Sequence, residues 1–278
     1  MLACLAFGSF ATADAAAKFL SGDYAVLQIL FLGSAFAFLP TLVFIWRLEG
    51  LASIWPQRPG LCLARGALTA LSVLAIVWSF TMLPLAEGYA LAFTAPLIVT
   101  ALSGWLLQEL ASRRQWIAVL IGFLGVLVIL RPGLSTVNAG HAAALGSAFL
   151  FALSLILLRR LGASETPGAL LAAYFFVSLA LYLPFLPGVW VTPADGFTWL
   201  LMVGIGIASG CGQAALVLAF RNAPAAIVSP FQYSQLIWGI AFGATLFGDR
   251  PDAVMLTGTL LVIGAGWALL SEATSRSP

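Results

Sequence analysis

The sequence predicts an all-α integral membrane protein, with ten transmembrane helices arranged as two inverted five-helix repeats. Three observations carry that prediction. First, 62% of the 278 residues are hydrophobic and 8% are charged, against about 45–50% and about 25% in soluble domains. So few charges cannot cover a water-facing surface, and a single core stops growing at about 250–300 residues, so the remaining solvent is lipid. Second, the apolar runs are continuous rather than alternating on a period of two, which points to helices and not a β-barrel. Third, the two halves of the chain echo one another at an offset of 140 residues.

A bilayer-crossing helix needs about 20 mostly apolar residues. That length places spans near 2–20, 25–46, 61–83, 85–108, 115–131, 140–158, 168–188, 197–220, 224–247 and 253–271. The first has no basic residue ahead of its apolar run, which separates it from a signal peptide. Arg47 and Glu49 close the second, and the turn-rich stretch Trp55 to Gly60 leads into the third. Arg113 and Arg114 follow the fourth, Arg131-Pro132-Gly133 the fifth, and Arg159 and Arg160 the sixth. Pro184 and Pro187 end the seventh, and Asp249-Arg250-Pro251-Asp252 separates the last two. Nothing left over is long enough for an extramembrane domain.

Lysine and arginine set the orientation. With a cytoplasmic N-terminus, Arg47, Arg58, Arg65, Arg113, Arg114, Arg159, Arg160, Arg221 and Arg276 fall in inside loops and tails. Only Lys18, Arg131 and Arg250 fall outside. Both termini are therefore expected in the cytoplasm. The offset of 140 places Pro84 on Pro224, Phe93 on Tyr233, Thr94 on Ser234 and Glu109 on Asp249. The proline and acidic pairs weigh most, because both residue types are scarce. Halves at 1–137 and 138–278, each with an odd number of spans, must insert in opposite senses. Inverted repeats are the pattern of secondary transporters, whose substrate site lies at the midplane between them.

Ten short spans, the repeat, and an acidic residue closing the fourth span of each half resemble the drug/metabolite transporter superfamily, and within it the EamA-type proteins. Leu107-Gln108-Glu109 with Trp116 through Arg131-Pro132, and Phe247-Gly248-Asp249 with Leu256 through Gly266, look like that family's repeat endings. Ala13-Asp14-Ala15-Ala16-Ala17-Lys18, followed by Gln28-Ile29, is similar to a bacterial branch. The sequence departs from that branch at Leu32-Gly33-Ser34, where an arginine is frequent. The resemblance implies a multi-pass protein of the bacterial inner membrane that moves small organic metabolites. Members carry amino acids, nucleosides, vitamins and drugs, and amino-acid exporters of the YddG type are the nearest picture.

Polar groups within hydrocarbon are costly and usually face the bundle interior. The ninth span holds the densest set: Ser229, Gln232, Tyr233 and Gln235, with Trp238 one turn on. Ser229, Gln232 and Gln235 share a helix face, and a glutamine amide can grip either end of a zwitterion. Interhelical hydrogen bonding would use the same groups. The fourth span offers Tyr89, Phe93, Thr94 and the helix-breaking Pro96. Ser209 and Gln213 stand one turn apart in the glycine-rich eighth span, where close helix packing is the plainer role. Trp78 and Ser79 are candidates for the outer mouth, with Ser147, Ser154, Tyr174 and Tyr182 behind them. Asp14 and Glu87 compete as proton-coupling sites, although Asp14 is also placed to pair with Lys18 four residues on.

The composition excludes a soluble enzyme and a nucleic-acid binder. Cys4, Cys62 and Cys211 are far apart and His141 is alone, so no metal site or cofactor is expected; the cysteines read as small buried residues and His141 as a loop residue. No G-x-x-x-x-G-K-[ST] loop is present, so ATP hydrolysis is not expected. A membrane enzyme would need clustered catalytic groups, and Asp249 and Asp252 read instead as a span terminator. The expected partners are a small-molecule substrate, amino acids foremost, and the lipid bilayer; monomer and homodimer both stay open.

Overall fold

The computed structural model describes residues 1–106, 112–130, 137–162, 164–222, 232, 234–249 and 252–275. Among them there is no strand. The helices are α1 (Leu2–Leu20), α2 (Val26–Leu48), α3 (Pro59–Phe80), α4 (Leu85–Ala92), α5 (Ala95–Leu106) and α6 (Arg113–Leu130). They continue as α7 (Ala139–Leu161), α8 (Pro167–Tyr182), α9 (Gly196–Asn222), α10 (Ser234–Phe242) and α11 (Ala253–Ser275). Six helical stretches are long and apolar enough to cross a bilayer, and four shorter apolar ones accompany them.

Small residues decide which helices touch. The alanines of α1 at 3, 6, 11, 13, 15 and 17 are buried, and α1 lies along α9, which in turn packs on α2. Gly206 marks the closest approach: a Cβ there would stand 2.5 Å from the Phe36 Cβ and 2.8 Å from the Gly33 carbonyl. α3 packs against both α7 and α8, and α6 packs along α11. The seam between α3 and α7 is polar. Ser72 and Ser147 each donate to the other's backbone carbonyl, at 3.0 and 2.9 Å, and Thr69 Oγ1 lies 2.6 Å from Ser154 Oγ.

The expected fourth span is two helices. Phe93 and Thr94 separate α4 from α5, because Pro96 has no N–H to return to the Ala92 carbonyl and its ring crowds the preceding turn. Arg65 lies inside α3, 2% exposed, with Nη1 donating to the Leu170 carbonyl at 3.2 Å, and not in an inside loop. His141 is a helix residue, completing a capping box with Asn138 at the start of α7. Only Cys62 is buried; Cys4 and Cys211 face out of the bundle.

Scarce charges fasten the two ends of the bundle. At one end, Glu165 accepts from the backbone N–H groups of Gln57 and Arg58 at 3.0 and 2.6 Å. Glu49 accepts from Gly168 N–H and from Arg221 there. At the other end Gln28, fully buried, donates to and accepts from the backbone of Val191, fixing the connection that precedes α9. Asp195 caps that helix by accepting from Thr198 N–H at 2.6 Å, which holds its carboxyl below the usual carboxylate range.

Lys18 is also at this second end. It does not pair with Asp14: Nζ donates to the Leu83 carbonyl at 2.9 Å, stands 3.6 Å from Asp249 Oδ2 and lies over the Phe247 ring. The long stem lets the ammonium reach the end of the bundle, while Asp14 turns inward. Gly248 makes the ion pair possible, because its φ of +67° turns the chain sharply before Asp249. Lys18→Met is expected to lower unfolding stability in detergent by about 1.5–3 kcal/mol, the range for a hydrogen bond to a charged group. Asp249→Asn is expected to cost less in that background than alone, read by melting of the single and double variants.

Candidate functional site

α1 presents Phe7, Phe10 and Asp14 at i, i+3 and i+7, which puts them on one face. Across from them α4 carries Tyr89, whose hydroxyl donates to Asp14 Oδ2 at 2.8 Å. Asp14 lies roughly 18 Å along α1 from Leu2 and roughly 9 Å short of Leu20, at 1.5 Å per residue. The carboxylate is thus well inside the bundle and away from both ends.

The two side chains open onto a central cavity of about 100 Å³. α3 contributes Ser72, Val73 and Ile76, α7 contributes Ser147 and Phe151, and α8 contributes Tyr174. Ser209 and Gln213 from α9, with Gln232 ahead of α10 and Gln235 from its first turn, complete the polar wall. Gln213, Gln232 and Gln235 are all buried. The side-chain carbonyl oxygens of Gln213 and Gln232 accept no hydrogen bond from the described residues. A buried acceptor without a donor is costly, and both residues stand in the cavity wall. The α4–α5 break stands beside the cavity, with Ala92 in its wall.

The cavity therefore gathers Asp14, Tyr89, Ser209, Gln213, Gln232 and Gln235 from the candidates read in the sequence. Ser229 and Tyr233 lie outside the described residues, as does Glu109. Phe93 stacks parallel to Tyr89 at 6.3 Å, one layer behind the wall. Thr94 is buried and donates to the Leu91 carbonyl. Ser79 is buried too and donates to Ile76, whereas Trp78 faces outward. Trp238 also faces outward and stacks on Phe242. Glu87 meets His141 Nε2 at 3.1 Å near the second end of the bundle and does not line the cavity. Ser154 and Tyr182 join helices, the latter donating to the Ala70 carbonyl at 2.7 Å.

Sequence reasoning passed over Ser72, Phe7, Phe10 and Phe151. Two spacings carried the signal. Arg65, Thr69, Ser72 and Ile76 form an i, i+4, i+7, i+11 stripe on α3, the one polar line in an otherwise apolar helix, and Phe7, Phe10 and Asp14 form the stripe on α1.

Polar side chains from seven helices line one cavity inside an apolar bundle, an arrangement suited to a membrane transport protein. Residues 1–131 and 138–271 match the EamA-like transporter family, and the chain belongs to it. Among its relatives is a riboflavin transporter of Vibrio cholerae, 28% identical over 76% of this chain and 71% of that protein. A pseudopaline exporter of Pseudomonas aeruginosa is 27% identical over 97% and 94%. An S-adenosylmethionine uptake transporter of Rickettsia felis is 23% identical over 91% and 85%. A crystal structure superposes with a TM-score of 0.74 over 100% of this chain and 98% of its own, at 16% identity, and shares the fold. The chain is thus a multi-pass membrane protein of a transporter family.

A double-mutant cycle of Ser72→Ala and Ser147→Ala is expected to return a coupling of about 0.6–1.7 kcal/mol, the range for hydrogen bonds between membrane helices. Additive effects on melting would show that the reciprocal bonds at the cavity wall do not act as a unit.

Proposed function

We propose that the protein is a secondary active transporter that moves small organic metabolites, exporting amino acids foremost, by alternating access around the central cavity. The observation that carries this reading is the convergence of Asp14, Tyr89, Gln213, Gln232 and Gln235 on one cavity between helices of both halves. Ten spans in two inverted repeats, residues 1–137 and 138–278, with both termini in the cytoplasm of a bacterial cell, complete it. Separate family matches to 1–131 and 138–271 support the two-part division. With Arg65 inside α3, eight of the twelve lysines and arginines still fall on the cytoplasmic side of that arrangement.

The amides suit a zwitterion, since each offers a donor and an acceptor, and the pseudopaline exporter, similar over nearly the whole chain, supports outward movement. Asp14 is the proton-coupling residue in this reading, because Glu87 is engaged with His141 away from the cavity. A second reading, uptake of a larger solute such as S-adenosylmethionine or a flavin, is favoured by the aromatic walls at Phe7, Phe10, Phe151 and Tyr174 and by the relatives named for those solutes.

Counterflow in proteoliposomes against amino acids, nucleosides, flavins and dyes identifies the substrate class. Rescue of an auxotroph would mark uptake, and resistance to a toxic analogue would mark export. Gln232→Ala and Gln235→Ala are each expected to reduce counterflow about tenfold, equivalent to ~1.4 kcal/mol, with elution and melting unchanged. Undiminished flux in the double variant would remove both residues from the site. Asp14→Asn is expected to make flux indifferent to an imposed pH gradient that accelerates the wild type.

A further inference from the structure

The cavity's polar atoms are unevenly matched in sign. Its one charged group among the described lining residues is the Asp14 carboxylate, and no lysine, arginine or histidine lines it. The basic groups buried nearby make their contacts away from the cavity, although Arg65 keeps its Nε without a partner among the described residues. Lys18 reaches the Leu83 carbonyl and Asp249 at the end of the bundle, Arg65 donates to Leu170 from lower on α3, and His141 meets Glu87.

Several hydroxyl donors in the wall are also committed. Tyr89 donates to Asp14, and Ser72 and Ser147 donate to one another's backbone. What remains buried and unpartnered is acceptor: the Gln213 and Gln232 carbonyl oxygens. Bringing an anion here means stripping its water and placing it beside a carboxylate in a low-dielectric interior, which is strongly unfavourable. A positive nitrogen meets the opposite situation: a carboxylate and two amide oxygens, with Phe7, Phe10 and Phe151 in the same wall.

We propose that every solute this cavity accepts carries a positively charged nitrogen on an apolar or aromatic body, and that solutes of net negative charge are rejected. The inference rests on the cavity being the transport site, and it narrows the substrate class of that site. An amino acid satisfies it through its ammonium, with its carboxylate left to the amide N–H groups and the Ser209 hydroxyl. A simple carboxylate or phosphate ester does not.

The test reads the charge preference without knowing the substrate. In a background with Cys4→Ala, Cys62→Ala and Cys211→Ala, a Ser209→Cys variant places one thiol in the cavity wall. Its modification rates are measured with the permanently cationic trimethylammonium-ethyl and the anionic sulfonatoethyl methanethiosulfonates, each divided by the reagent's rate with a free thiol in solution. The expected cation-to-anion ratio is at least tenfold. Asp14→Asn should lower that ratio at least fivefold, and Asp14→Glu should preserve it, which separates charge from folding.

A ratio below ten, a ratio unmoved by Asp14→Asn, or a thiol that neither reagent reaches overturns the proposal. The counterflow panel distinguishes it from the transport reading beneath it. No flux of any solute alongside a high ratio would sink transport and leave the charge preference standing. Flux of a net-anionic solute, or of an uncharged one such as a flavin, would do the reverse.

Discussion

Hydrogen-bonding groups set among so many apolar side chains have mainly one another as partners, and that constraint organises the molecule. The seam between α3 and α7 is held by hydroxyls that pair across it, Ser72 with Ser147 and Thr69 with Ser154. The tyrosine at 182 reaches a backbone carbonyl, and Gln28 satisfies both halves of its amide on one peptide group. The cavity differs from this paired seam: in the cavity a carboxylate rests on a single phenol, and two amide oxygens have no described partner. The paired seam and the cavity thus differ in how far their polar groups are satisfied.

The fold was largely legible in the sequence because span length and charge placement are imposed by lipid and not by tertiary detail. The first, second, sixth and eighth expected spans match α1, α2, α7 and α9 to within three residues at each end. What escaped were local partnerships. Asp14 and Lys18 satisfy an i, i+4 rule perfectly well on paper, yet α4 supplies a phenol to one and Leu83, just ahead of α4, a backbone carbonyl to the other. Helix periodicity records only neighbours on the same helix, so it cannot see a partner brought from 65 or 75 residues away. Arg65 escaped for a related reason. An arginine near a span end reads as a loop marker, and only the position of Leu170 shows that it lies under α8.

The site was legible in kind and less so in membership. The glutamines of α9 and α10 stood out because amides are rare in such helices, and they do meet in the cavity. Trp78, Ser79 and Trp238 stood out for the same scarcity, yet they turn outward or bond their own helix. Serine and tryptophan each have a second stable place in a membrane helix, the first on a carbonyl a turn back and the second at the interface. A glutamine has neither place and takes a partner from another element, as Gln28 does at Val191, or stands at a cavity.

Gln28 has a mechanical side as well. Its two hydrogen bonds clamp Val191 to the second helix from 163 residues away, so the connection carrying Leu183 to Gly188 cannot slide independently of α2. Val191 lies only five residues ahead of α9, and α9 packs directly on α2. Moving any one of these three pieces against the others would break the Gln28 bonds or the α2–α9 packing.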